Sequence, residues 1–480
     1  MRLNIWFAGL TIFLPSTCFS QDTQYWGSQY GTAGFFLPGA VISSNGDSSV
    51  LFYNPALLPN GGQPKISVNA NIYYLQSIKI INGSGSNHDL KSLVGSTTPQ
   101  LIAGNFQLKI NSKKLNFAYG ILSSSIINFQ ASQRRDEKVN ALSDSYSPGP
   151  ESFVGQFILQ NTVKEFTGVL GSGFKISKKM SAGIYVEGTS RNQAYQLNYI
   201  GRALTNPPVS DTFTLVSTDV NYFTSYTHLR LRFRGGLAWD GERDHLGLTI
   251  SSPSISLGGN ALLASDNTLN NFRFSYDPGT YNFLANTRQE KLKPTWKMPL
   301  SIGVGYTRDF DRTQLYVAGE YFFAVDEYNI INPKDEFFIR PDTGNNASLT
   351  QSLLKLKDAR RAVFNIGFGV SRQVMTRIVA YFAFRTDNTF YDRSKFYNEQ
   401  GFAPYTCSWN VYHWQLGVNY KTAKYNLRAG VYFSHGSGNK YTQEINLDDP
   451  SEDNLFQGNV HDVTGKYFSV GVMLSYVHNL

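Results

Sequence analysis

The sequence predicts an all-β protein: a transmembrane antiparallel β-barrel of about fourteen strands with an N-terminal plug. Three observations predict it. Apolar residues recur with a period of two, connections alternate between short and long, and the chain opens on an export signal.

The signal is "MRLNIWFAGLTIFLPSTCFSQ". It has a basic start at Arg2, an apolar run from Leu3 to Leu14, and Cys18 and Ser20 three and one positions before Gln21. Residues 1–20 therefore read as a cleavable secretory segment, too short in its apolar part to span a bilayer. Cleavage leaves Cys407 as the remaining cysteine of the two in the chain, which excludes an intrachain disulfide. The 480 residues include 34 Phe, 29 Tyr and 42 Gly, with 16% charged residues and a formal charge of +8. Such a chain is neither disordered nor built to hold nucleic acid, because its charge runs are short; "RRDEK", Arg134 to Lys138, largely neutralises itself.

From Lys65 onward the alternation is sustained. Ile66, Val68, Ala70, Ile72 and Tyr74 alternate with polar residues, as do Ile102, Phe106, Leu108 and Ile110, then Leu115, Phe117, Tyr119 and Ile121. The same unit recurs as hairpins over 166–190, 228–252, 299–323, 362–386 and 410–434, and as a last strand around 468–476. Each strand is about ten residues, the length a tilted strand needs to cross a bilayer. Short polar turns close the hairpins, and long segments (77–99, 125–164, 191–227, 253–298, 324–361, 387–409 and 435–466) separate them. That is the pattern of short periplasmic turns and long outer loops. An even strand count returns both termini to the periplasmic side. Lipid offers no water to an open sheet edge, so the sheet over 65–480 closes.

Residues 21–64 have no strand period. They hold the stretch "GDSSVLFYNPALLPNGG", Gly46 to Gly62, whose apolar-aromatic centre is stopped by Asn54-Pro55-Ala56. A barrel of this size has a lumen wider than its own side chains fill, so this segment is expected to fold back as a hatch.

"GDSSVLFYNPALL", with Asp47, Phe52, Tyr53, Asn54, Pro55 and Ala56, resembles the hatch motif of the FadL/TodX-type outer-membrane transporters of hydrophobic compounds. "TWKMPLSIGVGYTRDFDRTQLYVAGEYFF", Thr295 to Phe323, is similar to that family's Trp-x-x-Pro hairpin. Gly471-x-x-Leu474-x-Tyr476 resembles a C-terminal barrel-insertion signal, and Leu57 departs from the glycine usual after Asn-Pro-Ala. The resemblance implies a monomer in the cell outer membrane, among lipid and lipopolysaccharide, that uses no cofactor. It would take up hydrophobic or long-chain fatty-acid-like compounds by passive diffusion. Capture would fall to outer loops such as 125–164 and 253–298. Release would be sideways through an inward kink in the third strand, Leu115 to Ser124, where Gly120, Ser123 and Ser124 would permit the bend. A second implication is a PorV-type docking or shuttle subunit of a protein secretion system, binding protein partners through its outer loops.

Arg230, Arg232 and Arg234 face the lumen if Leu229, Leu231 and Phe233 face lipid. They either hold a ligand's carboxylate or pair with lumenal acids such as Glu187 or Glu320 and help fix the plug. The acids of "LDDPSEDN", Leu447 to Asn454, read as a solvated loop or a cation site. No catalytic or metal-binding motif appears. Gly367-Phe-Gly369 lacks a third glycine, and His228 and His413 are isolated in sequence.

Overall fold

The computed structural model describes residues 23–27, 42–44, 48–61, 64–110, 113–206, 212–274, 277–341, 347–348, 350–397, 400–406 and 408–480. The secretory segment 1–20 and Asp47 lie outside these.

The wall has fourteen antiparallel strands. β1 is Lys65–Ile80, β2 Leu90–Ile110, β3 Lys113–Val139, β4 Glu151–Lys175, β5 Met180–Leu204 and β6 Leu215–Asp240. β7 runs in two pieces, Asp244–Ser251 and Ile255–Phe274, which pair with successive parts of β6. β8 is likewise Asp277–Leu292 and then Ser301–Phe310. β9 is Thr313–Phe322, β10 Val363–Met375, β11 Ile378–Asp387, β12 Val411–Lys421, β13 Tyr425–Thr442 and β14 Asp462–Asn479. β14 pairs with β1 from Lys65↔Asn479 to Ile80↔Gly465, which closes the barrel.

The interruptions in β7 and β8 fall at Pro253, Pro294 and Pro299, whose missing N–H groups cannot serve a ladder. Side chains and neighbouring backbone repair them: Ser254 N donates to Met298 O at 3.0 Å and Met298 N to Ser254 Oγ at 2.8 Å.

Strands β3 to β6 are 25 to 27 residues long, far beyond one bilayer crossing. The segments 125–164 and 191–227, expected as loops, largely continue these strands, and 253–298 largely continues β7 and β8. The reason is an exchange of faces. Low on β4, Phe166 (52% exposed), Leu170 (64%) and Phe174 point outward. Higher up, Phe153, Phe157, Leu159 and Val163 are buried inside, and Gln156, Gln160, Thr162 and Lys164 face out. β5 does the same, with Tyr195, Leu197 and Tyr199 inside and Asn192, Gln196 and Asn198 outside. Below the exchange the outer face meets lipid. Above it, the strand stands in water and turns its apolar face inward.

That upper interior is a packed core. The antiparallel pair Val325–Ile331 and Leu356–Arg360 lies within it, and Tyr222 stacks on Phe402 with centroids 3.8 Å apart. Tyr199 OH donates to Phe456 O. Many apolar residues of 125–164 and 253–298, among them Phe153, Phe157, Leu263 and Phe272, are part of this core, while Ile255, Leu257 and Leu284 are exposed. In β1 a register shift between Asn71 and Tyr73 also breaks the simple alternation, leaving Tyr73 outside and carrying Tyr74 into the lumen.

This division has a direct test. Phe157→Ala, in the upper core, should cost about 3–5 kcal/mol of unfolding free energy through the cavity it leaves. Phe166→Ala, on the lipid face, should cost less than half as much, since no packed cavity forms there. Urea unfolding in phospholipid vesicles, followed by tryptophan fluorescence, measures both.

Candidate functional site

The lower lumen is occupied by the N-terminal segment. Ser48–Phe52 and Pro55–Asn60 form two short 3-10 turns joined at Tyr53-Asn54. Pro55 is the first residue of the second turn, where a lost N–H costs nothing, and Asn54 caps it by accepting from Ala56 N at 3.0 Å. The Asn54 amide donates to Ile42 O at 2.7 Å and to Leu237 O of β6 at 3.2 Å. Ser181 Oγ donates to Ala56 O at 2.6 Å. Val50, Leu51, Phe52, Tyr53, Ala56, Leu57 and Leu58 bury their side chains against Leu101, Leu122, Val169 and Tyr185. Leu57, where a glycine was expected by resemblance, is a member of this cluster.

The barrel makes room for this segment with inward glycines. A Cβ on Gly183 would lie 2.5 Å from Pro55 C, one on Gly236 2.0 Å from Asn54 Oδ1, and one on Gly247 1.9 Å from Ile42 O. Gly120 belongs to the same socket: a Cβ there would meet Phe52 at 2.7 Å.

Directly above the segment is a cavity of about 110 Å³. Trp26, Phe52, Tyr53, Tyr185, Trp296, Phe322 and Phe390 give it aromatic walls, and six arginines and three glutamates line it. Arg230 reaches both oxygens of Glu165 at 3.0 Å, and Arg191 shares that carboxylate at 3.0 Å while lying over Trp296 at 3.7 Å. Arg234 donates to Phe52 O and Tyr53 O at 3.1 and 3.2 Å and pairs with Glu320 at 3.4 Å. Glu320 also accepts from Trp26 Nε1 at 2.9 Å. Arg360 pairs with Asp358 at 2.8 Å.

Arg232 differs. It donates to Ser252 O and Pro299 O at 3.0 Å and to Ser301 Oγ at 3.1 Å, carbonyls freed by the breaks in β7 and β8 and a neutral hydroxyl. Among the described residues it forms no ion pair, although it is 5% exposed. Its hydrogen bonds go to neutral groups, and Glu187, opposite it in the β5–β6 ladder, and Glu320 act on its charge from beyond ion-pair distance.

The arginine partners differ from expectation in one respect. Glu187 lines the cavity but accepts from Thr189 Oγ1 at 3.1 Å, and the ion pairs go to Glu165 and Glu320. Glu165 and Arg191 sit one residue beyond the strand ends drawn from sequence at Phe166 and Ser190. Extending the inward parity by one step would have found them. His228 bonds Ser256 at 2.8 Å, and His413 bonds Ser434 at 2.7 Å with Asp387 3.6 Å away, all within strand walls. The acids of 447–454 tie neighbouring loops together: Asp448 accepts from Ser86 N at 2.6 Å and Glu452 from Ser143 N at 3.2 Å.

The cavity extends to Leu122, and there the wall changes. The β2–β3 ladder runs from Ile110↔Lys113 to Leu101↔Leu122 and stops. The strands meet again through Gln130 N on Ser92 Oγ at 3.0 Å and Gln133 Nε2 on Asp89 O at 2.5 Å. Between these points, among the described residues, no backbone ladder joins 93–100 to 123–129. The break begins at the upper edge of the apolar belt, where Ser123 pairs with Phe166 of β4. Gly120, two residues before the last pair, is packed on Phe52. Pro99 lies in β2 at this point, with a register shift against β1 between Asn69 and Ala70, and proline confines a strand to an edge. β3 slips register against β4 between Ser125 and Ile127, beside the expected Ser123 and Ser124.

A closed barrel with an apolar belt outside and a folded N-terminal segment inside defines a plugged outer-membrane β-barrel. Its fold is the FadL/TodX type. A FadL homologue of Pseudomonas aeruginosa matches over 94% of this chain and 100% of its own, with a TM-score of 0.53 and 12% identity. The toluene transporter TodX of Pseudomonas putida matches over 97% and 100%, with a TM-score of 0.52 and 12% identity. The toluene transporter TbuX of Ralstonia pickettii matches over 94% and 98%, with a TM-score of 0.51 and 11% identity. No protein-family profile and no curated protein matches the sequence.

Asn54 joins the inner segment to itself and to β6. Asn54→Ala removes a cap and two buried donors, which should loosen the segment by about 1–3 kcal/mol. Limited proteolysis in vesicles should then cut within 42–61 while the barrel keeps its heat-resistant gel mobility.

Proposed function

We propose that this protein is a passive outer-membrane channel for small hydrophobic and amphipathic compounds, with residues 21–64 as its hatch and a sideways exit between β2 and β3. The observation that carries the reading is the cavity that rests on the inner segment and reaches Leu122, where the β2–β3 ladder ends. An apolar solute gains nothing by crossing the periplasm, whereas each buried CH₂ gains about 0.8 kcal/mol in the bilayer, so lateral release is downhill. At about 110 Å³ the cavity suits a ring or a short chain; an apolar cavity of about 150 Å³ holds benzene. This narrows the fatty-acid-like expectation to its smaller members. The charge on Arg232 adds a preference for a carboxylate at one end of the solute.

The alternative, a docking subunit for secretion, requires no cavity continuous with the wall. Transport accounts for that continuity and for the break at Pro99.

Uptake of radiolabelled toluene and phenylacetate into cells carrying the protein tests the reading. Both should enter faster than into cells without it. Arg232→Gln should slow phenylacetate about tenfold, the loss of one charge-assisted contact, and leave toluene within about twofold. Leu122→Trp should slow both. If wild-type cells accumulate neither compound faster than the control, the transport reading is wrong.

A further inference from the structure

The outer face of β4 to β7 changes character over three adjacent rows. The ladders set Phe166, Ser190, Leu229 and Gly258 side by side, and two residues higher on each strand Lys164, Asn192, Thr227 and Asn260. The next row up is Thr162, Ala194, Ser225 and Leu262. Residues paired directly across antiparallel strands share a face, so all three rows look outward, as the exposed Phe166 and Leu229 do. The lowest row is the top of the apolar belt, and the upper two stand at the membrane surface.

The upper rows form a groove of about 540 Å³. Its floor is made of short hydroxyl and amide side chains, and Thr227 Oγ1 donates to Asn192 Oδ1 at 2.6 Å. A cation lines each side, Lys164 on β4 and Lys291 on β8, and Lys293 lies two residues from Lys291 toward the belt. The three lysines are exposed, and none is in an ion pair among the described residues. Glu290, which also lines the groove, is paired with Arg288 at 2.8 Å.

Lys291 is placed by a bulge. Between the pairs Ala261↔Leu292 and Leu263↔Gln289, Leu262 faces two residues, Glu290 and Lys291, and Lys291 has a φ of 57°. A left-handed backbone is uncommon for a residue with a side chain, and a bulge re-aims the side chain it carries. Here the result is an exposed cation at the rim of the groove.

Hydroxyls and amides on the floor suit sugar hydroxyls, and cations at both sides suit phosphates. The apolar row, about 7 Å below the lysine row, suits acyl chains. One kind of molecule presents these groups in that order from water to bilayer: a phosphorylated, acylated glycan. A glycerophospholipid headgroup would meet the cations and leave the polar floor unused. β4 and β8 are four strand spacings apart, about 19 Å, which a diphosphorylated disaccharide flanked by two lysine side chains spans.

We propose that the outer face of β4 to β8 is a binding site for one molecule of lipopolysaccharide. Its phosphates sit at Lys164 and at Lys291 with Lys293, its sugars lie over Ser225 and Thr227, and its acyl chains run down Phe166 and Leu229. The inference rests on the barrel standing in the outer membrane with its long connections outward.

Native mass spectrometry of the full chain tests it. The protein is released from phosphatidylcholine vesicles holding equal amounts of phosphatidylglycerol and of lipid A with two inner-core sugars. One lipid A should be retained per chain, about tenfold over phosphatidylglycerol. Lys164→Gln with Lys291→Asn, where asparagine keeps the left-handed backbone, should lower that retention about tenfold. Ser225→Trp, which fills the groove and keeps every cation, should lower it several-fold. Arg372→Gln with Lys421→Gln, at the short-turn end, should leave it unchanged. If the double lysine variant does not fold, Lys164→Gln is read in its place, with a smaller loss in the same direction. Equal retention of lipid A and phosphatidylglycerol, retention indifferent to the lysine and groove variants, or full displacement by inorganic phosphate would each overturn the proposal. Failure of the wild type to enter phosphatidylcholine vesicles would instead remove the membrane reading on which it rests.

Discussion

A backbone in lipid has no solvent to bond, so each strand of this wall depends on the next for its N–H and C=O partners. The constraint explains the closure of β14 on β1 and the repair of the proline breaks in β7 and β8, where Ser254, Met298 and Arg232 take up the freed groups. It also makes the interval between β2 and β3, where the ladder stops, conspicuous. There the ladder stops at the edge of the apolar belt, and a lumenal cavity lies behind its last pair.

The inside of the barrel follows from the same wall. Where the strands lie in lipid, their inward positions are free of the need to be apolar, and they carry the glycine socket and the arginines. Gly183, Gly236 and Gly247 let the backbone of the inner segment approach the wall, and Arg234 donates to that backbone. Where the strands rise above lipid, the inward positions become Phe153, Phe157 and Tyr222 and form a conventional core with the outer segments. One strand therefore serves two solvents in turn, and the height of the exchange marks the membrane surface.

This exchange decides what was legible in the sequence. The period of two, the hairpins and the strand number were visible because within the belt the outward positions are uniformly large and apolar. Above it both faces are mixed, so stretches such as 191–204 and 215–227 look irregular although they are strand. The hatch stretch was visible as a knot of turns and aromatics, but its socket was not, because a lumenal glycine looks the same whether it bends a strand or admits a neighbour. Gly120 is the clearest case. It borders the hatch at Phe52, while Pro99, beside the end of the β2–β3 ladder, lies in a segment expected as a loop. Glu165 and Arg191 were missed for a related reason: the strand appeared to end where its outward face stopped being greasy.

Lateral continuity between cavity and bilayer is the central claim, and Leu122→Cys reports on it most directly. In lipid vesicles a bilayer-dissolved alkyl maleimide should label this buried position, and phenylacetate in the cavity should slow the reaction. Labelling only after the barrel is unfolded, or at a rate indifferent to the solute, would contradict an opening at the β2–β3 break.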